Sequence, residues 1–300
     1  LLALVLGFTL APPRSLSQAN LARIMIAAAP TLLVALGATF VILLGSIDLS
    51  MEGTVACSAV VFALCFQALG GTLAGWGWLA VPAALATGVT LGWLNGFLHV
   101  RLRIPSFMAS LALGFVGMGL AVVLTDGEVM RVEGEFFRAL IFERVAGFPL
   151  MVYLALALVL LAWFILCHTA LGRNFYALGG GEDLAHASGL NTRRVRVTAF
   201  ALAGLYFALA ALLAVARAGM AEALTGANYM FLSITAVVVG GTSLMGGIGG
   251  VWNTVVGVLI VYVIQNGMAV TGMPRYLQHG VLGVLVILAV VVSRRRGGHQ

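Results

Sequence analysis

The sequence predicts an all-α polytopic membrane protein. It has about ten transmembrane or re-entrant helices, broken near two glycine-rich polar segments, with both termini on the cytoplasmic side. Three observations predict this. First, the 300 residues are 62% hydrophobic and 9% charged, against about a quarter charged in a soluble domain. A single water-soluble core cannot absorb that much apolar surface, whereas a bilayer can. Second, no Asp, Glu, Lys or Arg lies between Glu52 and Arg101 or between Glu222 and Arg275. Each stretch is long enough for two crossings of ~20 residues, or for a crossing and a re-entrant piece. Third, every one of the 16 basic residues is an arginine, and Arg294, Arg295 and Arg296 close the last apolar stretch. Such a cluster anchors a C-terminus in the cytoplasm.

The elements follow in order. Residues 1–11, closed by Pro12 and Pro13, read as the end of a truncated first helix, since no basic region precedes them as in a signal peptide. Asn20 is placed to cap the second segment, near 24–44. A polar break, Gly45-Ser46-Ile47-Asp48-Leu49-Ser50, precedes the third, 53–69. The fourth, 76–98, is stopped by Arg101 and Arg103. Its Gly88, Gly92 and Gly96 share one helix face, where small residues let another backbone approach. Pro105 opens the fifth, which ends near Thr125, and a mixed-charge loop, 125–148, follows. The sixth is 149–167. A polar segment, 168–196, separates it from the seventh, 197–216. The eighth, 229–239, is short and runs into a second break with six glycines from Gly240 to Gly250. The ninth is 251–270 and the tenth 276–292. Counting back from the C-terminus puts 168–196 and the Arg101/Arg103 turn in the cytoplasm and 125–148 outside, with residues 1–300 as one transmembrane domain.

Several functions are excluded by composition. With no lysine, no Walker A phosphate loop exists anywhere in the chain. No basic face is large enough for nucleic acid. Cys57, Cys65 and Cys167 are odd in number and lack metal-ligand spacing, so they read as small buried hydrophobes rather than a disulfide framework or a zinc site. No HExxH, GxSxG or paired intramembrane aspartates point to an enzyme. His99, His168, His186 and His279 sit near segment ends, as solvated interface histidines do.

Three features carry function. Asp48 is an ionisable group in an apolar region, which costs roughly 2.5–3.5 kcal/mol at mid-depth. It either lines a passage with Ser50 or caps the helix that follows, and the two readings are compatible. The second break, with Gly241, Thr242, Ser243 and Asn253, is non-helical backbone tolerated at membrane depth only beside protein or a water-filled cavity. In the third, Glu182 and Asp183 suit a helix N-terminus and Gly189 a C-cap. They define a short surface helix, 182–188, suited to docking a soluble partner.

In these three stretches the chain resembles the permease subunits of bacterial ABC importers for monosaccharides of the ribose, xylose and galactose type, relatives of the branched-chain amino-acid permeases. Residues 45–50 match the family's G-G-I-D-L-S. Residues 171–190 match its L-G-R-x-x-Y-A-x-G-G-N-x-x-A-x-x-S-G-I, and 237–247 its V-V-x-G-G-T-S-L-x-G-G. Weaker similarity at 104–127 extends the match to nearly the full length. The resemblance implies a permease subunit for a monosaccharide or related small polar solute in the bacterial inner membrane. It implies a homodimeric pore, cytoplasmic ABC ATPase chains holding ATP and Mg, and an extracytoplasmic solute-binding protein. This chain would itself hold no cofactor or metal and catalyse nothing.

The resemblance makes 182–188 the coupling helix, with Arg173, Gly180, Glu182, Asp183, Ala185, Ser188 and Gly189 toward the ATPase. It lines the translocation path with Asp48, Ser50, Glu52, Asn95, Gly241, Thr242 and Ser243. Lipid surrounds the subunit. The chain departs from the family in three places. Gly181 replaces an Asn. Glu52 is added after the Asp-Leu-Ser. The acidic E-L-D-A-I-A stretch is replaced by 229–235, which has neither acid. An ion-coupled secondary transporter using Asp48 or Glu52 is the alternative function, and it leaves 171–190 without a role. A pentose, hexose, sugar alcohol, autoinducer or nucleoside all fit as solute.

Overall fold

A computed structural model describes residues 17–73 and 75–274 and a few scattered residues between 277 and 287. The expected first segment, 1–11, and the arginines at 294–296 lie outside the described residues, as does most of the expected tenth segment, 276–292. The described chain is a helical bundle with seven helices long and apolar enough to cross a membrane. In chain order these are α1 (Gln18–Ile42), α2 (Met51–Ala68), α3 (Ala80–Leu102, entered through a 3-10 turn at Trp76–Leu79), α4 (Ser106–Thr125), α6 (Leu150–His168), α9 (Thr192–Ala218) and α11 (Val251–Val270). The shorter elements are α5 (Glu135–Phe142), α7 (Ala170–Gly180), α8 (Glu182–Ala187), α10 (Tyr229–Val239) and four two-residue strands: β1 (Met130–Arg131), β2 (Arg144–Val145), β3 (Phe148–Pro149) and β4 (Met220–Ala221).

The centre of the bundle is α9, packed chiefly against α3 and α1. Its contact with α3 is set by glycine. A methyl at Gly92 would lie 2.3 Å from Phe200 O and 3.0 Å from Gly204 Cα, and one at Gly204 would lie 2.0 Å from Gly88 O. The stripe at 88, 92 and 96 is therefore a helix-packing face, as the spacing predicts. Aromatic rings fill the rest of the core. Phe40 of α1 meets Tyr206 of α9 edge-on at 5.2 Å and Phe175 of α7 at 6.4 Å. The buried Tyr206 hydroxyl donates to Leu158 O of α6 at 2.9 Å, as a buried phenol requires.

Helices α1 and α11 run antiparallel and are joined by polar pairs. Asn20 and Asn266 exchange amide hydrogen bonds at 2.9 and 3.2 Å. Thr39 Oγ1 and Thr254 Oγ1 share a hydrogen bond at 2.6 Å. Such contacts hold helices where lipid offers no hydrophobic drive to associate. By contrast α4 and α6 turn large apolar side chains outward, among them Phe115, Val123 and Phe164. In water such a surface would aggregate; facing acyl chains it is at rest.

The bundle has two distinct ends. At one, β1 pairs with β4 and β2 with β3. There Gln67 donates to Arg131 O at 2.8 Å and Gln18 to Ala146 O at 3.4 Å. At the other lie α7, α8 and both polar breaks.

Three sequence expectations are corrected. The cap of α1 is Ser17, whose Oγ accepts from Asn20 N–H at 3.2 Å, rather than Asn20. The polar segment at 168–181 contains the helix α7, capped by Thr169 Oγ1. Its glycines and Arg173-Asn174 read as a loop, but buried Gly172, Phe175 and Leu178 recur at helical spacing and anchor it to the core. Helix α9 starts at Thr192 rather than at 197, capped by the Asn191 side chain, which accepts from Arg194 N–H at 3.0 Å. Arg193, Arg194 and Arg196 are thus helical. Both α10 and α11 have the predicted bounds.

Candidate functional site

At the end of the bundle opposite the strand pairs, the three motif stretches come together although the first lies more than a hundred residues from the other two in sequence. The first break leaves α1 at Ile42 through a turn at 43–45 and has no regular secondary structure from Ser46 to Ser50. Its backbone donors must be satisfied inside the protein. Side chains of α4 do this: Ile47 N–H donates to Ser106 Oγ at 3.0 Å and Leu49 N–H to Ser110 Oγ at 2.9 Å. These serines stand four residues apart, on one face of the first turns of α4. Sequence reading passed over them; the visible signal was Ser at that spacing just after Pro105.

The carboxylate of Asp48 is buried in this break. Its Oδ1 accepts from Ser50 N–H at 2.8 Å, from Ser50 Oγ at 2.6 Å and from Asn95 Nδ2 at 3.1 Å. The first of these bonds closes a turn at Ser50, the N-cap residue of α2, so Asp48 does not itself cap a helical N–H, and the third ties it to α3. Among the described residues, Asp48 Oδ2 and Asn95 Oδ1 are buried without a hydrogen-bond partner. The cluster therefore keeps acceptor capacity for a hydroxyl or amide donor.

Glu52 stands apart from Asp48. Its Oε1 accepts from Met230 N–H at 3.3 Å, in the first turn of α10. A carboxylate is favoured there by the helix dipole. The two departures from the family pattern thus meet in space: the acid missing from 229–235 is supplied across the gap by α2.

The second break follows α10, which at 11 residues is about 16 Å long, half a bilayer core. The turn closes through Ser243 N–H to Ile248 O at 2.9 Å, and Asn253 Nδ2 caps Gly240 O at 3.0 Å. Thr242 is buried with an unpartnered Oγ1. Among the described residues no hydrogen bond links Gly241, Thr242 or Ser243 to the Asp48 cluster, so with Glu52 apart on Met230 the expected path residues form three groups. The breaks themselves touch, through Gly247 N–H to Leu43 O at 2.9 Å.

Helix α7 wedges into that junction. A methyl at Gly179 would lie 1.8 Å from Leu43 O and 2.6 Å from Gly247 N, and Tyr176 OH donates to Gly249 O at 2.8 Å. Helix α8 follows, with Ala185 buried and Arg173, Gly180, Glu182, Asp183, Ser188 and Gly189 exposed. Gly189 takes φ +83° after the helix, as a glycine C-cap does. Leu184 is 78% exposed on α8, an exposed apolar side chain that sequence reading missed.

One side chain joins α8 and the first break. Arg196 of α9 pairs through Nη2 with Glu182 Oε2 at 2.6 Å and donates through Nη1 to Ser46 Oγ at 2.9 Å. Neither Arg196 nor Ser46 was singled out from sequence, because 150 residues separate them.

A bundle of apolar helices with two broken membrane segments, a buried polar cluster and a short helical segment bonded to both breaks defines a transport protein of the permease class. The profile of the permease component of branched-chain amino acid transport systems matches residues 20–290, and the chain belongs to that family. It is 33% identical over 300 residues to the ribose import permease protein RbsC of Escherichia coli strain K12, covering 99% of this chain and 92% of the relative. It is 31% identical over 262 residues to the L-arabinose transport system permease protein AraH of the same strain, covering 87% and 78%. With the D-allose transport system permease protein AlsC, also of that strain, it shares 31% over 287 residues, covering 95% and 86%. No solved structure matches the chain.

Proposed function

We propose that this chain is the membrane-spanning permease of an ATP-driven importer of the bacterial inner membrane, carrying a monosaccharide or related small polar solute handed over by an extracytoplasmic binding protein. The observation that carries the reading is the continuous link Glu182–Arg196–Ser46, which joins an exposed docking helix to the break that holds Asp48. ATP and Mg belong to a separate ABC ATPase seated on α8, and this chain hydrolyses nothing. The names of its relatives cover ribose, L-arabinose and D-allose, which favours a pentose or hexose.

In this reading the end with α7 and α8 is cytoplasmic, a placement supported by Arg101, Arg103, Arg193, Arg194 and Arg196 beside the span ends. The loop 125–148 and the two strand pairs then face the binding protein. Both termini lie in the cytoplasm, segments 1–11 and 276–292 complete about ten membrane helices, and two copies form the pore. The buried acceptors of Asp48 and Asn95 meet solute hydroxyls only when the surrounding helices part, which suits a path that binds weakly and opens alternately.

Copurification tests the partnership. Tagged chain extracted from its native membranes in mild detergent is expected to bring down an ABC ATPase and ATP hydrolysis, and an Ala185→Pro variant to lose both while staying monodisperse. Recovery of the unaltered chain with no ATPase polypeptide contradicts the proposal.

A further inference from the structure

Beside the coupling segment, where α3 meets the first turns of α9, lies an open cavity of about 530 Å³. Arg101 and Arg103 reach it from the end of α3, and Arg193 and Arg194 from the start of α9. All four guanidinium groups are exposed. Among the described residues none of them has a carboxylate partner: the single ion pair there is Arg196 with Glu182. Four of the chain's 16 positive charges thus line one cavity, and the nearest carboxylate, Glu182 in the adjoining cavity beside Arg103 and Arg193, is paired with Arg196 instead. Like charges so placed repel, and the arrangement calls for an anion.

The rest of the cavity says which anion. Its wall on α3 is Trp93 and Phe97, whose rings stack at 5.3 Å and 17°. They are 47% and 40% exposed. Trp93 precedes Arg101 by eight residues, about 12 Å along the helix. The aromatic wall therefore lies inside the apolar span while the arginines lie at its edge. A free phosphate would use the arginines and leave the aromatic wall idle. A soluble acidic protein could not follow that wall into the membrane. A molecule with an anionic phosphate head and acyl chains uses both parts. Basic pockets between helices at the cytoplasmic face recognise such head groups, guanidinium forks bind phosphate oxygens bidentately, and indole rings settle at the membrane interface.

We propose that this cavity is a binding site for an anionic phospholipid, with its phosphate held by Arg101, Arg103, Arg193 and Arg194 and its chains laid on Trp93 and Phe97. Because Arg193 and Arg194 sit on the same helix as Arg196, a bound lipid would also neutralise the charge next to the coupling link. The site does not depend on which solute the protein carries, nor on whether an ATPase binds.

Quenching of tryptophan fluorescence by brominated lipids tests it. The full chain is placed in nanodiscs of phosphatidylcholine carrying a minor fraction of brominated phosphatidylglycerol or of brominated phosphatidylcholine. The Trp93 signal is taken as the difference from a Trp93→Phe chain. The expected result is quenching of Trp93 by the brominated anionic lipid at an apparent affinity at least about fivefold higher than by the zwitterionic one. That preference should vanish in an Arg101→Gln, Arg103→Gln, Arg193→Gln, Arg194→Gln chain and should resist added inorganic phosphate. Equal quenching by the two lipids in the unaltered chain overturns the proposal without reliance on any arginine variant. So does quenching by neither, as when a second copy or another protein covers α3, and so does displacement by inorganic phosphate alone.

Discussion

Replacing Glu182 with arginine is expected to abolish solute-stimulated ATP hydrolysis in the assembled transporter while leaving the chain folded. Glu182 holds Arg196 at 2.6 Å, and Arg196 holds Ser46 at 2.9 Å. A second guanidinium at 182 turns an attraction into a repulsion and pushes Arg196 off the break. The pair itself adds little to stability, since the Glu182 side chain is 55% exposed and exposed ion pairs contribute about 0–1 kcal/mol. Its part is to transmit. Coupling free energies between sites run at about 1–3 kcal/mol, so stimulation should fall at least about fivefold. Arg196→Gln should have a similar effect, because it severs the same link at its middle. The two changes combined should cost no more than either alone, as expected for residues acting as one unit. If stimulation in Arg196→Gln equals that of the unaltered complex, the link is ornamental and the assignment of α8 as the coupling helix loses its main support.

The second large effect is expected at Gly179, and its neighbour provides the control. A single methyl at Gly179 meets Leu43 O at 1.8 Å and Gly247 N at 2.6 Å, both backbone atoms of the two breaks. No side-chain adjustment relieves a clash with backbone, so α7 must move away. That movement strains the Tyr176 to Gly249 bond and the Gly247 to Leu43 bond. Overpacking of this kind costs typically ~1–3 kcal/mol. A methyl at Gly180 meets nothing within 4 Å. Gly179→Ala should therefore lower the unfolding midpoint in detergent and abolish transport, whereas Gly180→Ala should leave the midpoint where it was. Equal midpoints for the two variants would mean that α7 does not seat between the breaks as described.

Local signals were legible in the sequence and long-range ones were not. Helices α10 and α11 announce both of their ends, since an apolar run is closed on each side by polar residues or glycine. The glycine stripe on α3 was read as a packing face and is one. Helix α7 was missed because Gly179-Gly180-Gly181 reads as a turn, and only burial of Phe175 against Phe40 reveals a helix anchored from below. Asp48 was found because a carboxylate in an apolar region is costly wherever it sits. Its partner Asn95 was named as a path residue with no sequence argument for the pairing. The serines of α4 that satisfy the break, and the arginine that ties the break to α8, depend on which helices become neighbours, and no local pattern encodes that. Glu52 shows the same limit from another side. In sequence it was an added acid and 229–235 a stretch without acids, and in space the two meet in one interaction.

Uptake by the reconstituted protein tests the central claim most directly. The purified chain is placed in liposomes with and without its ABC ATPase, with the solute-binding protein and labelled ribose, L-arabinose or D-allose on the outside. Uptake of at least one sugar should require the ATPase and internal ATP together, and should be absent when the chain is alone under a proton or sodium gradient. Uptake by the chain alone, driven by either gradient, would contradict the account and make the buried Asp48 an ion-coupling carboxylate instead.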